Sequence, residues 1–267
     1  MSSPGSGRGT PRGFWNRLKA RWYRRGMERS DFAEAALGVM APRMERGWSV
    51  LDVGAGCGAL CLALAEAGFE VTALEPAPAM YEILVEEKER RGLDGLETVR
   101  GAWGEIDAGG YDVIVCANVP ELLGGGGDFL PAVDRAARRM VFLIASAGPG
   151  ADKFYYRDLY PLIFNKPYPP RTDYLATYCA LHELGICAGV EIIEYDFDQP
   201  FDDLDEAVEF WKEYMGIVTE EHDGKLAGYL RGRLEEADGG LVARFHKRSA
   251  VIYWSTDRED GRRKARR

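Results

Sequence analysis

The chain has 267 residues, of which 46% are hydrophobic and 29% charged; this fits one folded domain with some decoration and excludes a fibrous or disordered protein. No run of about 18 apolar residues occurs, so no membrane-spanning helix is expected, and the basic N-terminus lacks the apolar stretch of a secretory signal, so a cytoplasmic location is. The net charge is −9, but residues 1–29 carry +7 and residues 257–267 carry +3, which leaves −19 on the body and argues against a DNA partner.

In chain order, residues 1–12 are rich in Gly, Ser, Pro and Arg and read as a disordered tail. Phe14, Trp15, Leu18, Trp22 and Tyr23 then recur near helical spacing among basic residues, predicting a helix over 14–25. Ser30 or Asp31 caps a second helix through about Met40, so residues 13–45 form a helical extension. Strands are predicted at Ser49–Val53, Glu70–Leu74, Leu96–Arg100, Asp112–Ala117 and Met140–Ser146, with helices at about Ala59–Ala67, Ala79–Arg91 and Phe129–Arg138 between them. Runs such as VIVCA and VFLIA are continuously apolar, as strands covered on both faces must be. The β-α-β rhythm therefore predicts an α/β fold with a doubly wound, mostly parallel sheet.

The last third differs. A Tyr/Pro-rich stretch over Phe154–Pro170 leads into a helix near Arg171–Ala188 and a strand near Glu191–Phe197. Helices at Asp203–Met215 and Gly224–Ala237 follow, then a terminal strand over Arg244–Trp254 and a basic tail over 255–267. Residues 46–254 make the main domain, with about 151–188 and 203–238 as a small helical, tyrosine-rich cap. The odd number of cysteines, five, most of them in apolar runs, reads as reduced, mostly buried thiols. Cys57 and Cys61 have no second pair at zinc-site spacing, and the acidic residues around 194–206 have no EF-hand spacing, so no metal is predicted.

The first strand runs into Leu51-Asp52-Val53-Gly54-Ala55-Gly56-Cys57-Gly58, and a helix starts at Ala59. Glycines let the chain turn tightly there and bring its backbone close to a ligand. The second strand ends at Glu75, seventeen residues after Gly58, where an acid can accept hydrogen bonds from a ribose diol. These features mark a nucleotide site without naming the nucleotide, since Gly54 to Ala59 also satisfies the dinucleotide pattern G-x-G-x-x-A.

The segment SVLDVGAGCGALCLALAEAGFEVTALEPAPAM resembles the first motif and following acidic loop of the class I S-adenosylmethionine-dependent methyltransferases. Their Asp/Glu-x-Gly-x-Gly-x-Gly pattern is matched at Asp52, Gly54, Gly56 and Gly58. The resemblance implies a seven-stranded Rossmann-like sheet closed by an antiparallel pair at Glu191–Phe197 and Arg244–Trp254. It implies S-adenosyl-L-methionine as cofactor, S-adenosyl-L-homocysteine as product, and a cofactor site made of Asp52, Gly54, Ala55, Gly56, Gly58, Glu75, Pro76, Ala102, Trp103, Asn118 and Val119. In this reading Trp103 flanks the adenine, and Asn118 to Glu121 lie beside the methyl group.

Asn118-Val119-Pro120-Glu121 departs from the Asp/Asn-Pro-Pro-Tyr/Phe motif of members that methylate DNA adenine or protein glutamine, which turns the expectation to a small-molecule acceptor. A protein or RNA acceptor recruited by the basic ends, and an NAD(P)-dependent oxidoreductase, are the alternatives. Tyr155, Tyr156, Tyr160, Tyr168, Tyr174 and Tyr178 suit the wall of a small-molecule pocket. Arg157 is a candidate partner for an anionic substrate. Asn118, Tyr178 and His182 are the candidate catalytic residues, with His182 the best placed of three histidines to act as a base. The basic aromatic helix over 14–25 is expected to be a lid closing over the cofactor; the oligomeric state is left open.

Overall fold

The continuously apolar segments form the centre of a sheet because helices cover both of its faces. In a computed structural model, which describes residues 13–124, 127–148, 154–169 and 173–256, they are β1 (Ser49–Val53), β2 (Glu70–Leu74), β3 (Glu97–Val99), β4 (Val113–Ala117) and β5 (Met140–Ser146). Val113–Cys116 and Val141–Ile144 are wholly removed from solvent. All five strands run parallel, in the order β3-β2-β1-β4-β5. The crossover helices are α3 (Ala59–Glu66), α4 (Pro78–Arg91) and α6 (Phe129–Ala136), and a single turn, α5 (Pro120–Leu123), follows β4.

Two late strands complete the sheet. β6 (Gly189–Asp196) lies at the edge, and β10 (His246–Ser255) inserts between β5 and β6, antiparallel to both. The result is the expected seven-stranded, mostly parallel, doubly wound sheet. Strand order reverses between β1 and β4, so a crevice opens at their carboxyl ends, where sheets of this type bind ligands.

The remaining elements build outward from that crevice. The N-terminal helices are α1 (Arg17–Met27), capped by the Asn16 side chain on the Lys19 N–H at 2.8 Å, and α2 (Phe32–Met40). Later in the chain come α7 (Tyr156–Phe164), α8 (Tyr174–Glu183), which packs on β5 and β10, α9 (Leu204–Met215), which packs on α1, and α10 (Asp223–Arg231), which packs on α7 and α9. A second, antiparallel sheet joins β7 (Gln199–Phe201), β9 (Gly240–Ala243) and β8 (Glu235–Ala237). Among the described residues no helix is long and apolar enough to cross a membrane. The expected tails, residues 1–12 and all but the first two of 255–267, lie outside the described residues.

Two local expectations are corrected, and the expectation of mostly buried cysteines holds. Residues 156–164 within the Tyr/Pro-rich stretch are helical, even though Pro161 falls inside the helix. The helix expected through Ala237 ends at Arg231, because Asp238 and Gly239 both take positive φ, 54° and 80°, and turn β8 back onto β9. This is the two-residue hairpin geometry that an Asp-Gly pair favours. Of the cysteines, Cys57, Cys61 and Cys116 are buried, whereas Cys179 and Cys187 are exposed.

One residue ties the N-terminal extension to the cap. Trp22 is 1% exposed and meets Phe210 edge-on, with centroids 5.4 Å apart. Its indole N–H donates to Glu206 at 2.8 Å, an acid that also accepts from Arg25 at 2.6 Å. The Gln199 amide donates to the Trp22 carbonyl at 3.1 Å. Trp22→Ala should therefore cost about 3–5 kcal/mol in urea unfolding, through the cavity left between α1 and α9. A loss below about 1 kcal/mol would mean that α1 is not integral to the fold.

Candidate functional site

Backbone bonds fix the glycine loop before any ligand is considered. The N–H groups of Gly54 and Ala55 both donate to the Leu74 carbonyl, at 2.8 and 3.1 Å, which joins the loop to the end of β2. Gly54, Gly56 and Gly58 all have left-handed φ, at 75°, 60° and 99°. At Gly54 a Cβ would stand 2.5 Å from Val119 Cγ2, and at Gly58 it would stand 2.5 Å from Leu62 Cδ1. At Gly56 a Cβ would meet nothing within 4 Å, so this backbone fronts open space. Two glycines are thus needed for packing and one leaves a face open to a ligand.

Glu75 borders that open face. It is 5% exposed, and its two oxygens each accept one backbone N–H, from Gly56 and Ala77, both at 2.7 Å. Each carboxylate oxygen has a second lone pair, so the group can still receive two hydroxyls. Burial raises its proton affinity, and the two N–H bonds pull it back. Asp52 stands behind the loop instead. It is 2% exposed, between Ala73 and Val115 in register, and bonds to the Cys61 amide in the first turn of α3. Its position lets it brace the loop rather than face a ligand. Burial, and next the charge of Glu75, raise its pKa to about 7, against the pull of the Cys61 N–H.

The other residues expected to hold the cofactor sit around the same crevice. Pro76 is exposed directly after Glu75, and Ala55 is buried in the loop. Ala102 donates its N–H to Glu105 at 2.8 Å. Trp103 is half-buried and meets Phe129 edge-on at 5.1 Å, which leaves its partly exposed ring at the rim after β3. Asn118 has φ 56°, donates its N–H to the Ile144 carbonyl at 2.8 Å and is exposed, and Val119 seats against Gly54.

Beyond Asn118 and Val119 lies a cavity of about 990 Å³ at the carboxyl ends of β4 and β5. Trp15, Tyr23 and Met27 of the N-terminal extension line it, together with Phe154, Arg157 and Tyr168 of the cap. Burial drives the Tyr23 hydroxyl well above the usual tyrosine range. Its last wall is the start of β10, from His246 to Ser249, with Tyr195 and Phe197 beside it. Of the three candidate catalytic residues, Asn118 is the one among the described lining. His182 is exposed in the last turn of α8, and Tyr178 is half-buried against a second core; neither lines the cavity.

The histidine at the cavity is His246, which the sequence reading passed over. Its Nδ1 lies 2.9 Å from Asp196 Oδ1 and its Nε2 lies 3.6 Å from Glu194, and these partners, Asp196 foremost, raise its pKa. The one signal for it was the polar run His246-Lys247-Arg248-Ser249 leading an apolar strand.

Residues 50–139 match the family model of the methyltransferase domain. An uncharacterized protein of Haemophilus influenzae is 26% identical over 227 residues, covering 82% of this chain and 81% of its own. The ubiquinone biosynthesis O-methyltransferase of Methylocella silvestris is 36% identical over 84 residues, which is 30% of this chain and 32% of that enzyme. Among solved structures, a candidate methyltransferase of Bacillus halodurans C-125 is similar with a TM-score of 0.52 at 16% identity. That likeness covers 83% of this chain and 98% of the other, and it is one of fold.

The buried acid behind the loop makes stability depend on pH. Asp52 binds its proton more tightly in the fold, at about 7, than at its ordinary 3.8. Its contribution is therefore complete below that ordinary value and is lost as pH rises towards 7. Asp52→Asn, which cannot ionise, should match the native protein near pH 4 and exceed it by a few kcal/mol (on the order of 1.4 per pKa unit) by pH 8. Urea unfolding at both pH values checks this, and a difference that does not grow with pH contradicts it.

Proposed function

We propose that this protein, a class I S-adenosylmethionine-dependent methyltransferase, moves the methyl group to a small molecule held in the cavity beneath α1 and the cap. The observation that carries the reading is the position of the cavity. It begins at Asn118 and Val119, which follow β4, and Val119 packs against Gly54, so an acceptor inside it would lie next to the cofactor loop. At about 990 Å³ it is at the large end of the range for small-molecule sites.

The division of labour follows from the residues. S-adenosylmethionine, when bound, supplies a methyl carbon already activated by its sulfonium. Glu75 would take the ribose hydroxyls on its two remaining lone pairs, and the open backbone at Gly56 would pass beside the sugar. Asp52 would hold the loop in that shape through the first turn of α3. Trp103 would flank the adenine. Asn118 would orient the acceptor, and Trp15, Tyr23 and Met27 would close the site against water, which is the lid role expected of the N-terminal extension.

Holding donor and acceptor in line can lower the barrier by about 7–11 kcal/mol, so approximation carries most of the reaction. Tyr178 and His182 are given no part in it. A protein or RNA acceptor is the less favoured reading, because the aromatic walls of α1 and the cap overhang the cavity and the body of the chain is acidic.

Calorimetry decides between cofactors. S-adenosylhomocysteine should bind, NAD should not, and Glu75→Gln should weaken the former by about 1–3 kcal/mol by placing an amide where two backbone N–H groups converge. Tight binding of NAD alone would overturn the assignment, and an unchanged affinity in the variant would place the ribose elsewhere.

A further inference from the structure

Tyr23 stands where the two halves of the site meet. It packs on the apolar cluster of Cys57, Ala79, Met80 and Ile83, which joins the glycine loop to α4, and it also lines the cavity. Its ring lies edge-on to Trp15 at 5.3 Å and tilted against Phe197 at 6.1 Å, and both are cavity walls. Cys57 and Glu75 on the cofactor side, and Tyr195 on the far wall, are near enough to act on its hydroxyl.

The hydroxyl itself is uncommitted. Tyr195, on the same cavity, shares a hydrogen bond with Ser249 at 3.1 Å, and Tyr214 donates to the Lys19 carbonyl at 3.5 Å. The Tyr23 hydroxyl has no hydrogen-bond partner among the described residues. A phenol enclosed in this way has given up bulk water, which is costly unless something in the cavity bonds to it. Its chemistry limits what that partner can be. Burial keeps the phenol protonated at ordinary pH, so it cannot act as a base. Donating its own hydrogen to a nucleophile would occupy the lone pair that must reach the methyl carbon. Accepting a hydrogen from the nucleophile leaves that lone pair free and raises its electron density.

We propose that the acceptor bears an O–H or N–H at the atom to be methylated, and that the Tyr23 oxygen accepts this hydrogen and so aims the atom at the cofactor. The proposal rests on the cavity being the acceptor site of a methyltransferase. The proton released on methylation goes to water, since Tyr23 stays protonated, and a methylated hydroxyl no longer has a hydrogen to offer.

Fluorescence titration with 1-naphthol and its methyl ether, 1-methoxynaphthalene, tests it in the full-length protein saturated with S-adenosylhomocysteine. The two probes share one ring system, suited to the aromatic walls, and differ in the hydrogen that Tyr23 would accept. Tyr23→Phe keeps the ring and removes no hydrogen bond within the described residues, so the fold is kept. It should weaken 1-naphthol about five- to tenfold, the loss of one enclosed hydrogen bond, and leave the ether unchanged. An unchanged affinity for S-adenosylhomocysteine shows that the variant is folded and that the hydroxyl does not serve the cofactor. Unchanged binding of 1-naphthol, or an equal loss for the ether, overturns the proposal, as does weakened binding of S-adenosylhomocysteine to the variant. Failure of S-adenosylhomocysteine to bind the unmodified protein would instead overturn the methyltransferase reading beneath it.

Discussion

The site depends on the Glu75 carboxylate and the two backbone N–H groups it gathers. Gly56 belongs to the loop after β1, and Ala77 to the turn after β2, so one side chain at 2.7 Å from each joins the ends of β1 and β2 beside the crevice. Those bonds offset part of the cost of burying the charge, and burial still raises the proton affinity of the group. A carboxylate already committed to two N–H donors is fixed in orientation, and its remaining lone pairs are aimed before any ligand arrives. Binding of a ligand there would then require little reordering of the loop.

A second buried acid lies directly behind. Asp52 holds the start of α3 through the Cys61 amide and feels the charge of Glu75. Burial disfavours ionising either acid, and the charge of Glu75 adds to the rise at Asp52. Over it lies α1, bound to α4 by Arg17–Glu82 and Arg24–Glu87 and to the cap by Trp22 and Arg25 on Glu206. Of these, Arg24–Glu87 joins a nearly buried acid, whereas Arg17–Glu82 is solvent-exposed and contributes little. The indole and guanidinium on Glu206 are the stronger attachment. A helix held on both sides of the crevice gives the open sheet edge a further wall, through Tyr23 and Met27.

Much of the sheet could be read from the chain because its strands are buried on both faces. VIVCA and VFLIA have nowhere else to go, and the loop between Asp52 and Gly58 is short enough for its glycines to be understood locally. Legibility fails where position depends on distant packing. Trp22 and Tyr23 are neighbours on α1, yet Trp22 faces α9 while Tyr23 faces the cavity with Trp15, which precedes the helix, and periodicity alone gives no reference direction. His246 and Lys247 are far from the loop in sequence. They line the cavity because β10 inserts between β5 and β6, a register that no local pattern encodes. His182 drew attention by sharing a helix with Tyr178, but the phase of α8 leaves it exposed.

The central claim is that cofactor loop and cavity form one continuous site, with the reacting atoms meeting at Asn118 and Val119. A crystal structure of the complex with S-adenosylhomocysteine tests this most directly. The account predicts the ribose hydroxyls on Glu75, the adenine beside Trp103, and the sulfur at the mouth of the cavity facing Asn118. A ligand whose sulfur points away from the cavity, or whose ribose makes no contact with Glu75, would contradict it.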